Sequence, residues 1–493
     1  MNGVVVFMGE NRYGKRSVFV NVGWKLFERS SSLIITFFIQ ILLARILEPA
    51  AFGLAAMVTV FVTLSTIFVS GGLSSSLIQK KDADELDFSS LFWVNLAVSS
   101  LLYVILFVAS PYISNYFGYA ELSPMLRVLS LKLIISAVNS IQTAYISRNM
   151  MFRFYFYSTL TGKIASGIVG VFIAVLGGGA WALVGQALSL IFFETIVLWT
   201  KVKWRPQRQF SLSRAKVLYS FAWKIMLMTF IEAIKDQTRN MLIGKKYSSE
   251  ALAYYDKGFL FPTNIVTNIS SSLTAVMFPV LSNVQDNNGK ALALCRSWLS
   301  IFAYSVFPIL LGLILTAESL VSVILTDKWL PAVPFLQLAS LTYISWIIEI
   351  PIRETLKSLG HASTILYLQI IKTTVSLIVL IILMNSGVLI IAASGALLGV
   401  FNILISIFVA KIKFNYTFSN VFTDVYQTLL LNFFMGIPVY VITLFSISEF
   451  TKLIMQIIVG VLLYVFLSVI SKNKNYDYII SLVKTITNKK SKT

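Results

Sequence analysis

Charged residues recur inside long apolar runs of the sequence, where burial is expensive unless the side chain faces a bundle interior or a wet cavity. Lys25, Glu28, Arg29, Ser32, Thr36 and Gln40 step by three or four, which places them on one face of a helix. A second run repeats the pattern with Lys224, Glu232, Lys235, Asp236 and Arg239. Lys132, Asn139 and Gln142, then Lys163, Glu349, Arg353, Glu354 and Lys372, follow in further apolar runs, and Asp256 and Lys257 precede a stripe of Asn264, Thr267, Asn268 and Ser271. Counted together, the cations Lys25, Arg29, Lys132, Lys163, Lys224, Lys235, Arg239, Arg353 and Lys372 outnumber the acids Glu28, Glu232, Asp236 and Glu349. A hydrated interior lined this way is electropositive and expects an anionic cargo. The guanidinium fork and the ammonium point charge both suit phosphate oxygens, so a diphosphate or an acidic sugar fits better than a cationic drug. The expected binding residues are therefore Lys25, Arg29, Lys132, Lys224, Lys235, Arg239 and Arg353, with Glu28, Glu232, Asp236 and Glu349 available to a coupling ion. Plainer roles stay open: Lys25 and Lys224 could snorkel, Lys163 and Lys372 could reach lipid headgroups, the acids could be structural ion pairs, and the Asn/Thr/Ser stripe could join helices.

The elements that must hold these residues follow from composition. The chain has 493 residues, of which 57% are hydrophobic and only 12% charged, against about 25% charged in soluble proteins. At about 20 residues per crossing, the apolar runs predict fourteen helices, near 18–46, 54–78, 88–111, 124–147, 154–177, 180–200, 216–243, 252–282, 291–316, 334–359, 364–385, 387–410, 421–446 and 452–471. The expected fold class is an all-α polytopic membrane protein. Lone Cys295 and His361 exclude an intramolecular disulfide framework and Cys/His zinc chemistry, and no cofactor is expected. Arg12, Lys15 and Arg16 precede no compact apolar segment with a cleavage site, so no cleavable signal is expected. The net charge of +19 would suggest nucleic acid in a soluble protein. Here Lys80, Lys81, Arg148, Arg153, the block Lys201–Lys216 and the tail lysines collect on one side, as the positive-inside bias requires with both termini cytoplasmic. The tail at 472–493 reads either as a solvated basic end or as a short amphipathic helix on the anionic leaflet.

A constant offset of 199 residues aligns Trp24-Lys25 with Trp223-Lys224, Ile41–Ala44 with Asn240–Ile243, and Phe52–Ala56 with Ala251–Tyr255. The expected organisation is an N-terminal lobe at 1–200, a basic linker at 201–216, a C-terminal lobe at 217–410, two further helices at 411–471 and the tail at 472–493. Gly71-Gly72, Pro262, Pro279, Pro308 and Pro351 are expected to let helices bend. Pro49, Pro111, Pro124, Pro331 and Pro334 read as helix boundaries.

Several stretches carry a family resemblance. Leu43-Ala44-Arg45-Ile46-Leu47-Glu48-Pro49-Ala50-Ala51-Phe52-Gly53 resembles the outer loop after the first helix of bacterial polysaccharide-transporter flippases. Gly72-Leu73 through Leu77-Ile78-Gln79-Lys80-Lys81, Phe92-Trp93-Val94-Asn95, Ala144–Phe152 and Phe278-Pro279-Val280-Leu281-Ser282 resemble later segments of the same family, over roughly residues 18–410. The resemblance is to the O-antigen, capsule and exopolysaccharide branch of the multidrug, oligosaccharidyl-lipid and polysaccharide exporter superfamily. It implies two six-helix lobes in a V around a central cavity, plus two C-terminal helices, a MATE-like fold. It also implies a flippase, not an enzyme, that moves undecaprenyl-diphosphate-linked oligosaccharide across the bacterial inner membrane by alternating access, for O-antigen, capsule or exopolysaccharide. The implied partners are that lipid-linked cargo, the bilayer, and polysaccharide polymerase or assembly proteins, with no nucleic acid. Two alternatives are a cation-coupled drug or metabolite antiporter of the same superfamily, which expects an acid-dominated cavity, and a membrane polymerase or glycosyltransferase, which expects a large outer loop.

Overall fold

The computed structural model describes residues 15–80, 82–284 and 287–481. Among the described residues the regular structure is helical, with no β-strand. The first elements are α1 (Lys15–Ile46), α2 (Pro49–Ser70), α3 (Leu73–Gln79), α4 (Glu85–Phe117), α5 (Leu122–Leu129) and α6 (Leu131–Arg148). Then come α7 (Phe152–Val175), α8 (Trp181–Lys201), α9 (Leu212–Lys246) and α10 (Ser249–Ser282). The rest comprises α11 (Asn288–Leu315), α12 (Ala317–Leu325), a 3-10 turn at Asp327–Ala332, α13 (Val333–Ser358), α14 (Ala362–Leu383), α15 (Val388–Phe414), α16 (Phe418–Thr443) and α17 (Glu449–Ile470). Twelve of these, some as consecutive pairs, are long and apolar enough to cross a membrane, and α9 makes thirteen when its two segments, meeting at 45°, are joined. The fourteenth expected span, α10, is 34 residues long but carries the Asn/Thr/Ser stripe. The protein is therefore a multi-pass all-helical membrane protein.

Two compact units form, 1–253 and 254–493. Their division falls later than the basic segment at 201–216 because α9 packs on α2, α3 and α4 within the first unit. The helix ends echo each other along the chain: α1 ends at Ile46 and α2 starts at Pro49, while α9 ends at Lys246 and α10 starts at Ser249.

Prolines and glycines act as the local rules dictate, with one correction. Pro49 opens α2 in the first turn, where its missing N–H is not needed. Gly71-Gly72 breaks the expected 54–78 helix into α2 and α3: Gly72 has φ +79°, and a Cβ there would lie 2.6 Å from the Ala222 carbonyl. Pro111, expected to end a helix, instead lies inside α4, which runs on to Phe117. Its ring removes the donor for the Phe107 carbonyl, and the Ser110 hydroxyl donates to that oxygen at 2.8 Å. Pro308 does the same inside α11, and the freed Tyr304 carbonyl accepts from the Tyr464 hydroxyl of α17 at 2.8 Å. Tyr304 in turn donates to Ser468 at 2.9 Å, so α17 is joined to α11 by buried polar contacts. The expected outer connection near 317–333 is not a loop: it folds as α12 and the 3-10 turn.

The start of α4 shows how the basic end of the first unit is fastened. Asp84 caps the helix by accepting from the Asp87 N–H at 3.0 Å, and Asp87 answers from the Asp84 N–H at 3.2 Å. Asp87, fully buried, also meets Lys80 at 2.6 Å. Arg214 of α9 pairs with Asp84 and lies 3.7 Å from Asp87. The Arg214 hydrogen bond, with the Asp87 N–H, holds the Asp84 carboxyl down at about 2, below its ordinary 3.8. A depressed carboxylate stabilises the fold above its unfolded value, and this contribution fades as pH falls from about 4 to about 2. Asp84→Ala is expected to cost about 1 kcal/mol through the lost cap. Asp84→Asn keeps the cap and loses only a solvent-screened ion pair, so its melting temperature in detergent stays nearer wild type and loses the acid-side dependence.

Candidate functional site

Four helices bring ionisable groups into the interior of the first unit: Glu28 from α1, Lys132 from α6, Lys163 from α7 and Glu194 from α8. Lys163 Nζ donates to Thr36 Oγ1 at 2.5 Å and to the Ser32 carbonyl at 3.2 Å. Glu194 lies within electrostatic reach of both lysines, and Glu28 within reach of Lys163 and Glu194. Tyr155 lies within electrostatic reach of the same two carboxylates. Glu28 is only 8% exposed. Two cations and two carboxylates offset one another, which is the condition for placing any of them inside hydrocarbon.

Small residues on both faces of α7 make this approach possible. A Cβ on Gly162 would lie 2.9 Å from the Leu190 carbonyl and collide with the Glu194 side chain, and one on Gly170 would lie 3.0 Å from Gln186. Ser158 donates to the Glu194 carbonyl at 2.8 Å. On the other face, a Cβ at Gly167 would lie 2.6 Å from Ile39 of α1. Close backbone contact through Gly and Ser is how helices associate where water supplies no driving force.

The polar stripe expected along α1 divides. Glu28, Ser32 and Thr36 serve the interior, while Arg29 is exposed. The side chains of Lys25 and Glu232 lie outside the described residues. On α9, Lys224 is exposed, Arg239 is half-buried, and Lys235 sits 3.8 Å from Asp236, which is 63% exposed. Arg353 of α13 is 46% exposed and lies 3.6 Å from Glu354.

The second unit carries its own interior pair. Lys372, near the middle of α14, donates to Glu349 of α13 at 3.0 Å and to Ser406 of α15 at 2.7 Å, so one ammonium joins three helices. Lys257 of α10 is buried, its ammonium 5.8 Å from the centre of the Trp329 ring. The α10 stripe is turned largely onto its own helix: Thr267 donates to the Thr263 carbonyl at 2.7 Å and Asn268 to the Asn264 carbonyl at 2.6 Å.

Glu194 is the residue that the sequence reasoning missed. Its signal was available, as a lone carboxylate in the apolar run from Leu190 to Leu198. Including it makes the interior of the first unit balanced in charge, not cationic. Lys163 and Lys372, left open between interior and headgroup, both point inward.

A family model described as polysaccharide biosynthesis protein matches residues 42–334. The teichuronic acid biosynthesis protein TuaB of Bacillus subtilis (strain 168) is 24% identical over 82% of this chain and 85% of its own. The succinoglycan biosynthesis transport protein ExoT of Rhizobium meliloti (strain 1021) is 25% identical over 66% of each chain. Among solved structures, the lipid II flippase MurJ in an inward closed conformation superposes with a TM-score of 0.74 at 16% identity, covering 94% of this chain and 100% of that one, which establishes the shared fold.

Proposed function

The chain belongs to the polysaccharide biosynthesis protein family, and from that premise we propose that it is a flippase for undecaprenyl-diphosphate-linked oligosaccharide. The observation that carries the reading is the set of ionisable side chains gathered from α1, α6, α7 and α8 inside an otherwise apolar bundle. Sugars and a diphosphate need polar partners at membrane depth, whereas the polyprenyl tail can remain in lipid. The relatives' names support it: ExoT is called a succinoglycan biosynthesis transport protein and TuaB a teichuronic acid biosynthesis protein. No covalent step is assigned to the chain. Its longest connection between described helices runs only from residue 202 to 211, which gives a polymerase or transferase no outer domain to build on.

In this reading the protein sits in the bacterial inner membrane with both termini cytoplasmic, the side on which the positive-inside bias puts Arg148, Arg153 and 201–216. It cycles by alternating access between two lobes, 1–200 and 217–410, and hands its cargo to polymerase and assembly proteins. Lys25, Arg29, Lys132, Lys224, Lys235, Arg239 and Arg353 are the proposed contacts for diphosphate and acidic sugar. Of the acids proposed for a coupling ion, Glu28 lies within electrostatic reach of Glu194 and Lys163, and Glu349 is paired with Lys372.

The test is mass spectrometry of membrane lipids from a deletion strain, combined with a glycosidase added to intact spheroplasts. Lipid-linked oligosaccharide that accumulates beyond the reach of the glycosidase supports a flippase; accumulation within its reach, or an unchanged lipid profile, overturns it. In the same assay Arg29→Ala/Arg239→Ala is expected to lower transport at least about tenfold at normal expression, the effect of losing one or two charge-assisted hydrogen bonds to the cargo. Normal transport would remove both residues from the site.

A further inference from the structure

Residues 202–211, between α8 and α9, carry Lys203, Arg205 and Arg208 and are fastened to the first unit along their length. Gln142 donates to the Trp204 carbonyl at 3.0 Å, and the Trp204 indole N–H donates to Glu85 at 2.7 Å. The Gln207 and Ser211 N–H groups donate to the hydroxyls of Ser89 and Ser90, both fully buried in the first turns of α4, at 3.0 and 2.9 Å. From α4 the Trp93 indole N–H returns a bond to the Gln207 carbonyl at 2.9 Å. The cations of this segment differ in how they are used. Arg205 is turned back onto the carbonyls of Val202 and Trp204, at 2.6 and 2.7 Å, and Arg214 just beyond is taken by Asp84 and Asp87. Arg208 has no hydrogen bond or ion pair among the described residues.

Anchored at Gln207 and Ser211, the segment holds Arg208 and Phe210 over α4. With Trp93, Val94, Ala97 and Val98 they line a shallow, largely open cavity of about 530 Å³. Its wall is apolar except for the Arg208 guanidinium. Ala97 and Trp93 lie on the exposed side of α4, within its first turns. A small soluble anion would gain nothing from the apolar wall, a sugar would find no hydrogen-bonding partners there, and a hydrocarbon would not need the cation. One chemistry satisfies both parts: a phosphate on the guanidinium with the carbons attached to it in the cavity.

We propose that this pocket binds an anionic phospholipid from the leaflet on the basic side of the protein, its phosphodiester on Arg208 and an acyl chain between α4 and Phe210. The site is separate from the interior cluster and does not depend on what the protein transports. Native mass spectrometry of the full-length protein, in detergent with equimolar phosphatidylglycerol and phosphatidylcholine, tests it. Wild type is expected to retain phosphatidylglycerol preferentially. Arg208→Gln should lower that adduct about tenfold, and Ala97→Trp, which fills the cavity and leaves the cation, should lower it as much. Lys203→Gln, on an exposed cation outside the cavity, should leave it unchanged. An adduct untouched by both variants overturns the proposal. So does loss in Arg208→Gln alone with competition by glycerol phosphate, which would make this a site for free phosphate. Melting in detergent checks the fold; Arg208 is exposed and unpaired, so its substitution remains informative even if Ala97→Trp disturbs packing.

Discussion

Gly53→Ala is expected to abolish function and to lower the melting temperature more than alanine at any other described glycine. A Cβ at Gly53 of α2 would overlap the backbone carbonyl of Ser249 and come within 2.7 Å of its Cα. Backbone cannot rotate away as the end of a side chain can. The corner between α9 and α10 would have to lift as a unit, and its other attachments would go with it: the Ser249 N–H donates to the Tyr119 hydroxyl at 3.1 Å, and the Lys245 ammonium lies 4.7 Å from the centre of the Tyr116 ring while donating to the Tyr116 carbonyl. Overpacking costs about 1–3 kcal/mol where side chains can yield and more where they cannot. Gly244→Ala is the control, because its Cβ would meet side chains and no backbone: Met57 at 2.8 Å and Leu252 at 3.4 Å. A Gly53→Ala protein that melts and transports like wild type would show that the corner is loosely seated.

The second large effect concerns the Lys372–Glu349 pair, whose side chains are only 14% and 17% exposed. Glu349→Ala leaves an ammonium inside the bundle with Ser406 at 2.7 Å, and Lys372→Ala takes the ammonium at 3.0 Å away from the carboxylate. Breaking a buried pair from one side costs about 3–5 kcal/mol, whereas replacing both partners by apolar groups of similar size is often neutral or better. Each single variant is therefore expected to melt far below wild type, and Glu349→Leu/Lys372→Met to recover most or all of the loss. Transport separates the roles further. A double variant that is stable yet inactive gives the pair a part in the cycle, and one that is stable and active makes it purely structural. Single variants as stable as wild type would contradict the burial of the pair.

Much of the architecture was legible because apolar run length and turn chemistry are local properties. Pro49 marked the start of α2, and the resemblance around Phe52-Gly53 fell on a glycine whose backbone is touched by another backbone. The helix at 88–111 was cut short at Pro111 because sequence alone does not reveal that Ser110 takes over the missing donor. The site was less legible, since a helical face is defined only to within the rotation of the helix. Glu28 and Arg29 looked equally suited to an interior, yet one is buried and the other exposed. Lys163 could have faced headgroups until Thr36 and the Ser32 carbonyl were seen to receive it. Glu194 is a lone signal, with no polar residue three or four positions away on α8 to mark a face; its meaning comes through Gly162 and Lys163, about thirty residues earlier on α7.

That last arrangement bears on how the chain is made. Lys163 and Glu194 lie on consecutive helices joined by the short Leu176–Ala180 corner, so they emerge from the ribosome in quick succession. Admitting α7 alone to lipid would carry a lysine into the hydrocarbon at about 2.5–3.5 kcal/mol on insertion scales. Held back until α8 follows, the same lysine enters beside its counter-charge. The α7–α8 hairpin is thus suited to partition as one unit during synthesis, its lysine entering with Glu194 toward Glu28, Ser32 and Thr36 of the already translated α1.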